Sequence, residues 1–189
     1  MTVKSIKYSD SGKTAAVELT DGGSLTVEAD VLDSCAVAVG EALCECDRYA
    51  LLSSDEYLRA LKKALSILSY ADNSKRALKR KLAEAGYSRS AAQRAVERVV
   101  ELGYVDEQRQ LERLILANTE QLFGPYKIIT RLLSKGYDLS SVRRALNDLT
   151  ESGRVDFEEN LNTLILKKLG ASPDADEKEK LLHKYGYRK

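Results

Sequence analysis

The feature that most constrains the fold is a repeat with a period of 50 residues. Residues 74–118 align with residues 124–168 without a gap, and 14 of the 45 paired positions are identical. Chance would give roughly 3 identities, so the two segments are copies of one unit. The matches include Leu82 with Leu132, Gly86-Tyr87 with Gly136-Tyr137, Arg94-Ala95 with Arg144-Ala145, Gly103 with Gly153, Val105-Asp106 with Val155-Asp156, and 114–116 with 164–166. Such copies must stack, because one alone cannot bury its apolar face.

Capping and turn residues recur at the same offset and divide each copy into three helices. N-cap residues precede the first and second helices, and glycines suited to a left-handed stop end the second and third. Pro125 occupies a first helical position, where its missing N–H costs nothing. The third copy has two helices and no third. The N-caps of the first helices are Asp106 and Asp156, and those of the second helices are Ser74, Gly124 and Asp174. The second helices end at Gly86, Gly136 and Gly186, and the third helices end at Gly103 and Gly153.

Residues 1–52 have a different texture, with apolar residues alternating along three short segments. This alternation predicts three strands, joined at residues 21–23 and elsewhere by tight turns. Short helices are expected at residues 31–38 and 41–46. Ser53 and Glu56 form a capping-box pattern, which predicts the start of the first long helix. The alternating residues are Val3, Ile6 and Tyr8; Ala15, Val17 and Leu19; and Leu25, Val27 and Ala29.

The chain is therefore predicted to be mainly α, with tandem three-helix repeats forming an elongated curved array behind a small N-terminal β-rich segment. The expected divisions are 1–52 for the β-rich segment, 53–106 and 107–156 for repeats 1 and 2, and 157–189 for a shortened repeat 3. A concave solenoid face suits a long partner, such as a filament or a nucleic acid.

Charge is polarised along the chain although the net charge is only +1. Residues 1–58 carry −7, residues 59–98 carry +8 and residues 99–189 are neutral. In repeat 1 the second helix carries basic residues at positions 75, 76, 79, 80 and 81. Four of the five equivalent positions of repeat 2 are uncharged, so the fold does not require the charge. The equivalent residues are Pro125, Tyr126, Ile129, Thr130 and Arg131. A phosphate-binding face is therefore predicted, with an ordinary solvated surface as the alternative. Its candidate nucleic-acid-binding residues are Lys75, Arg76, Lys79, Arg80, Lys81, Arg94 and Arg98.

Other classes of function find little support. No P-loop, GxSxG or HExxH motif occurs, so catalysis is not expected. Three cysteines, Cys35, Cys44 and Cys46, are interpreted as buried or half-buried structural thiols, without a metal. His183 is interpreted as a surface residue. No long apolar stretch or signal peptide is seen, which predicts a soluble cytoplasmic protein.

A tyrosine follows the glycine that ends the second helix in every copy: Tyr87, Tyr137 and Tyr187. We expect each ring to pack across the turn between two helices, with its hydroxyl at the surface.

Three segments together resemble the RecX regulatory family: ALSILSYADNSKRALKRKLAEAGY, LGYVDE and LFGPYKIITRLLSKGYD. The resemblance covers residues 55–189 and implies a regulator without enzyme activity or cofactor. Such a protein binds the filament of the recombinase RecA and also binds DNA. It limits ATP hydrolysis and strand exchange during recombination, DNA repair and the SOS response.

In this interpretation the outer faces of repeats 2 and 3 contact the recombinase. The candidate partner-binding residues are Lys127, Arg131, Lys135, Arg143 and Arg144. The sequence departs from the family pattern at Gln110-Leu111, where an aromatic residue and an alanine are usual, and in its shortened third repeat. A DNA-binding transcription regulator acting without RecA is the main alternative, and a general protein-interaction solenoid is a third. No dimer seam is visible, so a monomer is expected.

Overall fold

The computed structural model describes residues 1–170 and 173–188. Within these residues it has three strands and nine helices, which confirms the predicted mainly α class with an N-terminal β-rich segment. The chain forms two compact units. Unit 1 comprises Met1–Ala71 and Leu78–Leu102, and unit 2 comprises Asp72–Ala77 and Gly103–Lys189.

Unit 1 begins with an antiparallel sheet in the order β1 (Val3–Tyr8), β2 (Thr14–Leu19) and β3 (Ser24–Glu28). The alternation seen in the sequence places the apolar side chains of β2 and β3 on one buried face. Helix α1 (Ala29–Cys35) follows and contributes Leu32 to the same core. It ends three residues earlier than predicted because Ala36 adopts a left-handed conformation, with φ of 52°.

The long helix α2 (Glu45–Tyr70) corrects two predictions from the sequence. No separate helix forms at residues 41–46, and the helix runs through Ser53 rather than starting there. Its cap is Cys44, whose Sγ accepts from the backbone N of Asp47 at 3.3 Å. The Asp47 carboxylate in turn accepts from the backbone N of Cys44 at 2.8 Å. This closes a reciprocal capping box that begins at a cysteine, a residue rarely read as a helix cap.

The cysteines are a further correction, because all three are exposed free thiols rather than buried ones. Cys44 lies at the N-cap of α2, and its hydrogen bond with the side chain of Asp47 raises the pKa of its thiol. Cys35 lies in the last turn of α1 and Cys46 in the first turn of α2.

The remaining helices confirm the predicted capping pattern. Asp106 and Asp156 accept backbone hydrogen bonds at the starts of the first helices of their repeats. Gly86, Gly136 and Gly186, which follow the second helices, have φ between 82° and 90°. The helices are α3 (Lys75–Glu84), α4 (Arg89–Glu101), α5 (Glu107–Thr119), α6 (Pro125–Ser134), α7 (Leu139–Glu151), α8 (Phe157–Leu169) and α9 (Ala175–Tyr185).

Within unit 2, one contact between second helices occurs twice at the 50-residue offset. The Ser74 hydroxyl, at the start of α3, donates to the carbonyl of Lys135 at the end of α6, at 2.9 Å. Fifty residues later, the N–H of Gly124 at the start of α6 donates to the carbonyl of Tyr185 at 2.7 Å. A Cβ on Gly124 would lie 2.5 Å from the carbonyl oxygen of Gly186. Gly124 is therefore required by close backbone approach as well as by capping.

The tyrosines after the stop glycines correct another prediction, since two hydroxyls are buried. Tyr137 is 4% exposed, and its hydroxyl donates to Oε1 of the buried Gln110 at 2.9 Å. The hydroxyl of Tyr187 is also buried but has no hydrogen-bond partner among the described residues. Burial raises the pKa of Tyr187 to about 12. Gln110 is thus a core residue whose side-chain oxygen accepts the hydrogen bond of Tyr137.

Candidate nucleic-acid and partner interfaces

The basic helix α3 presents its cations opposite its apolar face. Leu78 and Leu82 are fully buried, whereas Arg76 and Arg80 are exposed and Lys79 is half-buried. Residues 76, 79 and 80 fall on adjoining positions of one helix face, because side chains three and four apart are neighbours. The side chains of Arg76 and Lys79 form no ion pair or hydrogen bond with any described residue. Two cations of α3 therefore lack a carboxylate partner.

Other cations of α3 are partly neutralised. The backbone N of Lys75 donates to Oε1 of Glu107 at 2.8 Å, and its ammonium lies 3.7 Å from the same carboxylate. Arg80 pairs with the exposed Glu84 at 3.5 Å, an interaction that solvent screens strongly. Lys81 is half-buried, because it lies one turn after the buried Ala77 and Leu78. Lys75 and Lys81 consequently contribute less to an anion-binding face than their charge suggests.

The two arginines of α4 have different surroundings. The guanidinium of Arg94 stacks over the ring of Tyr57 in α2, 4.4 Å from the centroid. Arg98 pairs with the exposed Glu101 at 3.1 Å, one turn along the same helix. Both arginines remain exposed. Stacking leaves the edge of the Arg94 guanidinium available as a donor, as is common for arginine on aromatic rings.

Lys127 and Arg131 of α6 are engaged within unit 2. The Lys127 ammonium donates to the carbonyl of Lys184 at 3.0 Å and lies 4.2 Å above the Phe123 ring. The Arg131 guanidinium lies 4.8 Å above the same ring. The hydrogen bond from Lys127 to Lys184 joins the start of α6 to the end of α9. The Phe123 ring makes cation–π contacts with both cations.

The other candidate partner residues are exposed. Lys135 offers its carbonyl to Ser74 while its side chain faces solvent. Arg143 lines a depression with Pro125, and Arg144 lines a separate cavity between α5 and α7. The side chains of Arg143 and Arg144 have no ion-pair or hydrogen-bond partner within residues 1–170 and 173–188. Both cations of α7 are therefore without a neutralising carboxylate among the described residues.

Sequence reasoning missed Tyr57, Glu107 and Phe123, which orient the cations named above. For two of them the sequence carries a signal at the 50-residue offset, because Tyr57 and Glu107 are equivalent positions with different side chains. In the described part of the chain, no cluster of histidine, cysteine and carboxylate residues could hold a metal ion. Over the same residues, no helix has the length and apolarity that a membrane crossing requires.

No protein-family model and no curated protein sequence matches the chain. A crystal structure of regulatory protein RecX is similar to it, with a TM-score of 0.72 and 19% identity over 98% of this chain and 92% of that one. A crystal structure of RecX from Lactobacillus salivarius gives a TM-score of 0.48 and 14% identity, over 71% of this chain and 99% of that one. The first comparison shows that the chain has the fold of regulatory protein RecX.

Proposed function

We propose that the protein is a non-enzymatic regulator that binds the filament of a RecA-type recombinase and DNA. The observation that carries the proposal is the RecX fold, which extends over 98% of the chain. A shared fold alone does not specify a function. Support from the chain itself comes from four cations with no carboxylate partner among the described residues: the exposed Arg76, Arg143 and Arg144, and the half-buried Lys79.

In this proposal the cations of α3 and α4 bind the phosphate backbone of single-stranded DNA. Arg80 and Arg98 pair only with exposed glutamates on their own helices, and such pairs contribute little. Both can therefore exchange a carboxylate for a phosphate at small cost. The proposal does not rely on base stacking, because the Tyr57 ring, which lies beside these candidates, is covered by the guanidinium of Arg94.

The recombinase is proposed to contact the exposed cations of repeat 2. Of the five candidates, Arg143 and Arg144 have the freest side chains, while Lys127 and Arg131 lie on Phe123. Inhibition of ATP hydrolysis would follow from binding along the filament. The protein needs no catalytic group for this role.

The direct test is a titration of the purified protein into RecA assembled on single-stranded DNA, with ATP hydrolysis as the readout. A progressive fall in the rate at micromolar protein is expected. A flat titration, combined with normal DNA binding, would favour a DNA-binding regulator that acts without RecA. Arg143→Gln and Arg144→Gln together are expected to weaken the inhibition and leave DNA affinity unchanged.

DNA binding is tested by the salt dependence of the affinity for an oligo-dT strand. With five phosphate contacts, the affinity should fall about 100-fold between 50 and 200 mM salt. Lys79→Gln with Arg80→Gln removes two contacts, so the fall should shrink to about 20-fold. Lys167→Gln with Lys168→Gln on α8 removes the same charge from another exposed surface and serves as the control. Identical salt slopes for both double variants would refute the α3 site.

A further inference from the structure

A cavity of about 400 Å³ lies between α5 and α7 within unit 2. Its floor is apolar and consists of Leu111, Ala145 and Leu149. Its rim is charged and includes Arg144 and Asp148 on α7 and Glu107 and Glu112 on α5. The volume is at the lower end of the range for small-ligand pockets, which suits one side chain rather than a large cofactor.

The positions that line this cavity have equivalents in repeat 1. Fifty residues earlier, the floor positions hold Leu61, Ala95 and Val99, which are apolar in the same way. Arg94 corresponds to Arg144, and its guanidinium lies 4.4 Å from the centroid of the Tyr57 ring. In repeat 1 an aromatic ring from the first helix therefore stacks beneath the arginine of the third.

Repeat 2 keeps the arginine but lacks the ring. The residue equivalent to Tyr57 is Glu107, whose carboxylate is directed to the start of α3 and accepts from the backbone N of Lys75 at 2.8 Å. Among the described residues of unit 2, no ring stacks on Arg144, and its guanidinium forms no ion pair. An unpaired guanidinium beside an apolar floor is complementary to the electron-rich face of an aromatic ring.

We propose that this cavity binds an aromatic side chain of a partner protein, which stacks on Arg144 as Tyr57 stacks on Arg94. The Asp148 carboxylate on the rim can accept a hydrogen bond from a phenol, so tyrosine is the preferred residue. The inference rests on the proposed function only in that Arg144 belongs to the proposed partner surface. The aromatic chemistry follows from the comparison of the two repeats.

The experiment titrates N-acetyl-tyrosine amide, N-acetyl-phenylalanine amide and N-acetyl-leucine amide into the full-length ¹⁵N-labelled protein. Saturable shifts at the amides of Leu111, Ala145 and Leu149 are expected with the aromatic probes. Arg144→Gln should weaken that binding about two- to fivefold, in line with one exposed cation–π contact. Lys167→Gln, which removes an exposed cation of α8 outside the cavity, is the control.

A second variant, Glu107→Tyr, restores the residue of repeat 1 and should fill the cavity from within. It is expected to abolish aromatic binding while its helical circular dichroism stays unchanged. Equal shifts with the leucine probe, or unaltered tyrosine binding in Glu107→Tyr, would overturn the proposal. Failure of RecA inhibition in the wild-type protein, with aromatic binding intact, would reject the proposed function and leave the cavity assignment standing.

Discussion

The buried tyrosines Tyr137 and Tyr187 allow a matched test of how repeats 2 and 3 are stabilised. Both follow a stop glycine, both belong to unit 2, and they are 50 residues apart. The hydroxyl of Tyr137 is bonded to Gln110, whereas that of Tyr187 has no partner among the described residues. The same substitution, Tyr to Phe, should therefore have different effects at the two positions.

Tyr137→Phe leaves the Gln110 side-chain oxygen buried without its donor. Leaving a buried polar group unsatisfied costs about 1–3 kcal/mol. Tyr187→Phe removes a buried hydroxyl that has no hydrogen-bond partner among the described residues, so the free energy of unfolding should stay the same or rise. The position equivalent to Gln110 is Asn160, whose side chain is one methylene shorter.

Urea denaturation followed by circular dichroism measures the difference. With a slope of about 2 kcal/mol per molar urea, Tyr137→Phe should lower the midpoint by about 0.5 M or more. Tyr187→Phe should not lower it. The double variant Gln110→Leu with Tyr137→Phe replaces both partners by apolar groups and should recover much of the loss. Equal losses for the two single variants would refute the assignment of these hydrogen bonds.

Three further predictions concern pH, close packing and capping. The pKa of Tyr187 is raised to about 12 from an ordinary 10. Its contribution to stability is therefore complete below pH 10 and is lost as the pH rises towards 12. Between these pH values, the free energy of unfolding of Tyr187→Phe should fall less steeply than that of the wild type. Left-handed backbone strain costs an alanine about 1–2 kcal/mol. Gly186→Ala should destabilise unit 2 by more than this, because its Cβ would meet the backbone of α6. Gly153→Ala has open space around its Cβ and should show the strain alone in the same urea assay. Cys44→Ala should lower the free energy of unfolding by about 1 kcal/mol, because the α2 cap is lost. Cys44→Ser keeps an acceptor and should not lower it. Thermal melts measure the difference, and equal losses of stability in both variants would count against the cap.

The helices of the repeats could be predicted because their signals are local. The side chain of Asp106 caps a helix through the backbone only three residues ahead. The glycines at 86, 136 and 186 end helices through their own φ angles. Each of these signals lies within a few consecutive residues, so it can be recognised from the sequence alone. The start of α2 was missed for a local reason too, because Cys44 acts as a cap that composition does not suggest.

The candidate cations themselves were visible in the sequence, but their partners were not. Lys75 meets Glu107 and Lys127 meets the carbonyl of Lys184, residues 32 and 57 positions away. Arg94 and Arg144 are identical positions of the repeat, yet one stacks on a ring and the other lines a cavity. That difference arises from the residues at 57 and 107 on a neighbouring helix.

The sequence by itself thus determined the period, the caps and the stops, because each depends on backbone geometry within a few residues. Tertiary structure alone decided which tyrosine hydroxyl is satisfied, which glycines meet another backbone and which cations remain free. Those outcomes depend on side chains brought together from distant helices, and the 50-residue repeat sets the scaffold without specifying them.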